Sequence, residues 1–181
     1  CIFVRQSEQL GLGHAILCAE RVVGDEPFAV LLADDFLTQP SGSSTSNVTL
    51  DLKNEFETSG LTQLSVMQLL GQDISNYGVI AKGDEPGSVM GIVEKPPLQN
   101  APSDMASIGR YILTSHIFDV LRDLPAGAGG EIQLTDAINI QAKQGKVNAV
   151  QSTGLRFDCG TVEGFVDAVA HEYALRIEGN K

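Results

Sequence analysis

Two rhythms of apolar and polar residues run along this chain. Short apolar runs bounded by glycine, proline and acidic residues alternate with stretches in which apolar positions recur every three or four residues. The first rhythm predicts strands, the second helices. Residues 2–4 and 28–32 read as strands, with a helix over 14–22 between them that carries Ile16, Ala19 and Val22 or Val23 on one side. The opening is therefore expected to be β–α–β, with a right-handed crossover and parallel strands. The unbroken run Phe28-Ala29-Val30-Leu31-Leu32 is that of a strand buried on both faces of a mainly parallel sheet.

Residues 39–47 are the most loop-like stretch, and Asn47 or Ser46 is placed to cap a helix running to about 58, with Val48, Leu50 and Phe56 inward. Gly60 ends that helix in the manner of a C-terminal glycine. Residues 61–69 form a strand. Residues 77–81 and 88–94 form an antiparallel pair turning through Gly83, Asp84, Pro86 and Gly87. A strand over 105–113, a helix over 116–124, a glycine-rich loop over 125–130 and a helix over 134–143 follow. Strands at 147–151 and 155–157 lead to a closing helix over 161–177, with Phe165, Val169, Tyr173 and Ile177 near a four-residue spacing. Alternating strands and helices make the fold α/β with a mixed sheet. No internal repeat or domain boundary is visible, so residues 1–181 read as one domain.

Composition narrows the class. The 181 residues are 43% hydrophobic and 19% charged, enough for a packed core, and the net charge of −11 leaves no basic stripe for nucleic acid. Three widely spaced cysteines, Cys1, Cys18 and Cys159, form neither a disulfide framework nor a zinc cluster and suit a reducing cytoplasm. No apolar run is long enough to span a bilayer, so no membrane partner is expected. Cys1 is not methionine and an apolar strand pattern opens the chain, so it is expected to begin inside a larger protein.

Candidate chemistry lies at strand ends, where open α/β sheets bind ligands. Asp34-Asp35 closes the second apolar run and Asp158 closes the last. Each is a possible cap or turn residue; each is also a carboxylate able to take a hard cation such as Mg²⁺, which needs one or two protein oxygens and fills its shell with phosphate and water. Leu10-Gly11-Leu12-Gly13-His14 precedes a helix and allows close backbone approach, but lacks the spacing of a dinucleotide or P-loop motif. A lone His14 reads first as a structural histidine. Val93-Glu94-Lys95-Pro96-Pro97 ends a strand in adjacent acid and base. Neighbouring strand residues point to opposite faces unless the strand bends; with a bend, Glu94 is placed to accept from sugar hydroxyls and Lys95 to meet a phosphate.

Seven segments in order resemble the sugar-phosphate nucleotidylyltransferase family: 4–6 with 10–15, 31–35, 77–80, 93–96, 109–113, 130–137 and 157–160. Gly-Leu-Gly-His, Glu-Ile-Gln-Leu-Thr-Asp and Asp-Cys-Gly are similar to the uridylyl rather than the thymidylyl branch. The resemblance implies a Rossmann-like, glycosyltransferase-A type mixed sheet flanked by helices, here N-terminally truncated. It implies Mg²⁺-dependent conversion of UTP and α-D-glucose 1-phosphate to UDP-glucose and pyrophosphate in the cytoplasm, by a homo-oligomer, dimer or tetramer. It implies that Gln6 and Gly11 meet the base, Asp34 and Asp158 hold the metal, Gly78 and Glu94 contact the hexose, Lys95 neutralises its phosphate, and Gly109 and Tyr111 line the sugar pocket.

Two features depart from the family pattern. The N-terminal third, with its Gly-Thr-Arg triphosphate loop, has no counterpart, so the chain alone is expected to be inactive. Thr161, Val162 and Glu163 stand where a lysine often follows Asp-Cys-Gly. A UDP-sugar-dependent glycosyltransferase and a non-catalytic nucleotide-sugar-binding module are the alternative readings.

Overall fold

In the computed structural model, residues 1–39 and 47–178 are described, residues 72, 73, 128 and 178 by backbone only. The expected serine-rich loop therefore lies largely outside the described residues. The elements follow in chain order: α1 (Leu12–Cys18), α2 (Glu20–Val23), β1 (Phe28–Leu31), β2 (Asp35–Leu37), α3 (Val48–Ser59), β3 (Thr62–Gln68), β4 (Gly78–Lys82), β5 (Val89–Glu94), β6 (Met105–Leu113), α4 (His116–Asp123), α5 (Leu134–Ala142), β7 (Val147–Gln151), β8 (Arg156–Asp158) and α6 (Val162–Glu178).

The nine-residue β6 is the axis of the main sheet, and eight of its nine residues are buried. Strand β3 runs antiparallel along one side of it and pairs on its far side with β7, in parallel. The other side of β6 is shared: β4 meets its start at Val79↔Ala106, and β1 meets its end from Leu31↔Arg110 to Phe28↔Leu113. Strand β5 completes the sheet beyond β4. A separate ribbon pairs β2 with β8 antiparallel and sets Asp35 opposite Asp158. Helices α1, α4 and α5 cover one face through Ile16, Ile117, Leu121 and Ile138 packed on Leu64, Val66 and Leu113. Helix α3 covers the other, with Val48 and Leu52 on Ile112. The sheet is thus mixed and flanked by helices, as expected.

Local signals account for several boundaries. Asn47 caps α3, its side chain accepting from Leu50 N at 2.9 Å, and Gly60 ends it in the left-handed region at φ 68°. Such a cap contributes about 1 kcal/mol. Thr161 caps α6 by accepting from Gly164 N at 3.1 Å. No described helix is long and apolar enough to cross a membrane.

Four expectations are corrected. Residues 2–4 form no strand: Ile2 is 70% and Phe3 94% exposed, with no β partner among the described residues. The β–α–β opening is accordingly absent, and β1 lies antiparallel to β6 with alternating exposure. Its inward Phe28 stacks on Phe118 at 5.1 Å, while Leu31 faces outward. An apolar run records burial potential but not the direction of its neighbour. In α3, Leu52 rather than Leu50 is the fully buried position. In α6 the spacing holds but the stripe is exposed: Phe165, Val169, Tyr173 and Ile177 all lie outward, and Ala168 is the buried residue.

Candidate active site

A cleft of about 340 Å³ opens where strand ends and the start of α5 converge. It brings together Asp34, Gly78, Glu94, Lys95, Gly109, Tyr111 and Asp158, drawn from separate segments. The antiparallel pairing of β4 with β5 carries Gly78 opposite Glu94, so the start of one strand and the end of the next face the same space.

The two adjacent aspartates do different work. The chain leaves β1 through a turn closed by Asp35 N donating to Leu32 O at 3.3 Å, with Asp34 at its exposed corner. Asp35 is buried, accepts from Gly109 N at 2.6 Å and is ion-paired with Arg156. Gly109 is required by this close approach: a Cβ there would lie 2.5 Å from Asp35 Oδ2 and 2.8 Å from Leu32 Cβ. Asp34 keeps its carboxylate out of any hydrogen bond or ion pair among the described residues. Its carbonyl accepts from Cys159 N at 2.7 Å, which ties it to the end of β8. A Cβ on Gly160 would sit 3.1 Å from Asp158 Oδ1 and 3.5 Å from Asp34 Oδ2, so the two carboxylates converge over this glycine. Asp158 also accepts from Gly160 N at 3.1 Å, so its turn-stabilising role holds alongside its place in the cleft. No cluster of three or more potential metal ligands occurs among the described residues. Two converging carboxylate side chains are nevertheless the donor set that a Mg²⁺ ion with phosphate and water ligands needs, so the residues fit that ion.

Beneath this pair lies a cation. The Arg156 side chain is 13% exposed; besides Asp35 it reaches Asp158 Oδ2 at 3.9 Å, donates to Tyr77 Oη at 2.6 Å and lies over the Tyr77 ring at 4.8 Å. Burial disfavours its charge, but the hydrogen bond and charge of Asp35 outweigh this, with Tyr77 and Asp158 adding, so the guanidinium lies above its ordinary pKa. Burial likewise pushes the Tyr111 phenol up, and the charges of Asp35 and Glu94 act in the same direction.

The bend at the end of β5 is real. Lys95 has φ 43°, alone in positive φ among the described non-glycine residues, and Pro96 behind it is buried. The Lys95 N–H donates to Tyr77 O at 3.0 Å, closing the strand end. Glu94 and Lys95 consequently both line the cleft rather than opposite faces. A left-handed residue with a Cβ costs about 1–2 kcal/mol, and such strain concentrates at binding sites. Thr135, on the first turn of α5, donates to Glu94 Oε2 at 2.6 Å and orients that carboxylate.

Gln6 and Gly11 do not line this cleft. The Gln6 amide donates to Gly11 O at 3.0 Å and to His14 Nδ1 at 2.9 Å, so His14 has a structural partner. The loop docks on the 131–132 segment: Gly13 N donates to Ile132 O at 2.9 Å, and Ile132 N to Leu10 O at 2.8 Å. Cβ atoms at Gly11 and Gly13 would come within 2.9 and 2.7 Å of Ile132 O. Backbone packing therefore accounts for both glycines.

A family profile described as Nucleotidyl transferase matches residues 2–174. The chain belongs to the nucleotidyl transferase family. Among members, it is 42% identical over 185 residues to a UTP–glucose-1-phosphate uridylyltransferase of Haemophilus ducreyi, covering 97% of this chain and 61% of that protein. A UTP–glucose-1-phosphate uridylyltransferase of Pseudomonas aeruginosa is 44% identical over 169 residues, with 92% of this chain and 60% of that protein covered. A crystal structure of UDP-glucose pyrophosphorylase complexed with UDP-glucose superposes with a TM-score of 0.87 at 40% identity, covering 94% of this chain and 65% of that one. The chain thus spans about 60% of the length of the curated relatives it matches. The nucleotidyl transferase fold carries the expected α/β, mixed-sheet architecture.

Arg156, Tyr77, Thr135 and the supporting role of Asp35 were not anticipated. One signal for Arg156 was present: it stands two residues before Asp158 on a short strand, and i, i+2 residues share a face. Thr135 lies inside a family-like segment, but its contact with Glu94 spans 41 positions and leaves no local trace.

Proposed function

We propose that this chain forms the sugar-binding and metal-binding half of an enzyme that joins UTP and α-D-glucose 1-phosphate to give UDP-glucose and pyrophosphate. The observation that supports this reading is the convergence in one cleft of Asp34, Asp158, Glu94 and Lys95. The similarity to relatives so named supports the choice of substrates.

In this reading an oxygen of the sugar phosphate attacks the α-phosphorus of UTP in line. The bond to the bridging oxygen breaks, and pyrophosphate leaves with that electron pair. Asp34 and Asp158 would hold Mg²⁺, which when bound supplies charge neutralisation to the phosphates. Lys95 offsets the charge of the incoming sugar phosphate and aligns it. Glu94, fixed by Thr135, accepts from hexose hydroxyls, and Gly78 leaves room for the ring: a Cβ there would lie 3.3 Å from Glu94 Oε2. Tyr111 and Gly109 form the pocket wall. Gln6 and Gly11 serve the base once the Gln6 amide turns from its internal partners. No covalent enzyme intermediate is required, and Cys159 serves as a link between Asp158 and the Asp34 backbone.

The 181 residues contain no Gly-Thr-Arg sequence. We therefore expect the chain to bind UDP-glucose without producing it. Calorimetric titration with UDP-glucose and dTDP-glucose tests this: measurable binding of UDP-glucose, lost in Glu94→Gln, is the expected outcome. Equal binding of both nucleotide sugars, or UDP-glucose binding untouched by Glu94→Gln, would sink the assignment.

A further inference from the structure

Arg110 lies between two residues of the expected sugar pocket, yet neither the cleft nor the proposed chemistry uses it. Its guanidinium is partly buried and spends its donors on backbone carbonyls. Nη1 donates to Leu32 O at 3.1 Å and to Gly109 O at 2.8 Å; Nη2 donates to Asp35 O at 2.8 Å. Leu32 and Asp35 are the first and last residues of the turn whose exposed corner is Asp34. One rigid fork therefore staples both ends of that turn to β6. The opposite side of the same corner is held by Cys159 N on Asp34 O, at 2.7 Å. The Asp34 backbone is fixed from two sides while its carboxylate stays open to the cleft.

We propose that Arg110 is a positioning residue for divalent-cation binding, acting through the turn that presents Asp34. The inference rests on the reading of Asp34 and Asp158 as metal ligands. Mg²⁺ and Mn²⁺ of similar coordination tolerate little displacement of a ligand oxygen, and a site loosened by well under an ångström loses affinity. Bridging two carbonyls three residues apart requires a planar group with several fixed donors. Lysine keeps the charge but offers a single nitrogen on a flexible stem, so it cannot staple both ends.

The test uses the whole chain and Mn²⁺ alone, followed by electron paramagnetic resonance of free and bound ion. Arg110→Lys is expected to bind Mn²⁺ about ten-fold more weakly while its metal-free binding of glucose 1-phosphate, measured with chelator present, stays within about two-fold. Amide exchange at Asp35 and Cys159 is expected to quicken in the same variant, whereas amides of β3 and β7 keep their protection. Asp34→Asn separates the two layers. If Asp34→Asn leaves Mn²⁺ binding intact, the metal reading itself fails. If Asp34→Asn abolishes it and Arg110→Lys binds Mn²⁺ as the unaltered chain does, the positioning role is overturned and the metal reading stands. Should Arg110→Lys not fold, Arg110→Gln carries the same comparison. Failure of both to fold would overturn the proposal, because Arg110 would then serve the sheet rather than the turn.

Discussion

Asp35 is 5% exposed and ion-paired to Arg156, whereas Asp34, one residue earlier, is exposed and carries no ion pair among the described residues. The same contrast divides the whole cleft. Its underside is a set of internally paired charges: Asp35 on Arg156 and on Gly109 N, Arg156 on Tyr77, Arg110 on three carbonyls. Its rim is a set of charges that face the cleft, Asp34, Asp158, Glu94 and Lys95, of which Asp158 accepts from Gly160 N and Glu94 from Thr135. Charges on a rim hold position only if something beneath them does not move. In this molecule the buried layer supplies the rigidity and the exposed layer is the one a ligand can reach.

The strongest way to break this division is to remove the buried carboxylate. Asp35→Ala leaves Arg156 charged and largely buried with only the more distant Asp158 carboxylate, at 3.9 Å, opposite it, and is expected to cost about 3–5 kcal/mol of stability. Asp34→Ala, at the exposed corner, is expected to move stability by less than about 0.5 kcal/mol. Urea denaturation of both variants checks the pair, and equal losses would erase the distinction between support and rim.

Gly109→Ala attacks the same support sterically. The new methyl group would overlap Asp35, so Asp35 must withdraw from its N–H partner, at a cost of about 1–3 kcal/mol. Thermal denaturation reads this directly. Lys95→Gly sharpens the comparison with the opposite sign. It relieves the left-handed strain at φ 43° and is expected to raise stability by about 0.5–1 kcal/mol, while glucose 1-phosphate binding weakens. A variant that lost stability instead would show that the Lys95 side chain supports the fold.

The smallest effect is one of pH. Tyr111 is raised above its ordinary pKa by burial, so the folded chain holds the phenol proton to higher pH than the unfolded chain does. Unfolding then releases a proton, and stability falls as pH rises past the ordinary tyrosine value of about 10; below that value the contribution is fully present. Tyr111→Phe is expected to flatten this alkaline decline in urea midpoints, without altering those at neutral pH by more than the loss of one hydroxyl.

Much of the rim was legible before the fold was known. Strand-end carboxylates announced themselves at Asp34 and Asp158 because apolar runs stop there. Glu94-Lys95 stood out because two prolines follow, and the bend needed to bring both into one cleft is present at Lys95. The underside was not legible. Asp35 pairs with Arg156 across 121 positions, and Gly109 contacts Asp35 across 74. No local pattern records which polar residue will be enclosed. The stripe on α6 shows the converse: its spacing was right, but spacing states only that one side is apolar, and here that side is exposed.

The sequence by itself determined where β3 to β8 and the helices α3 to α6 lie, because periodicity, caps and glycine stops are properties of neighbouring residues. It also determined which carboxylates stand at strand ends. Only the tertiary structure decided that β1 runs antiparallel to β6, that β4 and β1 share one side of that strand, and that Asp35 goes under while Asp34 stays out. Those outcomes depend on which distant segment arrives to pair or to cover, and that choice belongs to packing and desolvation across the whole molecule.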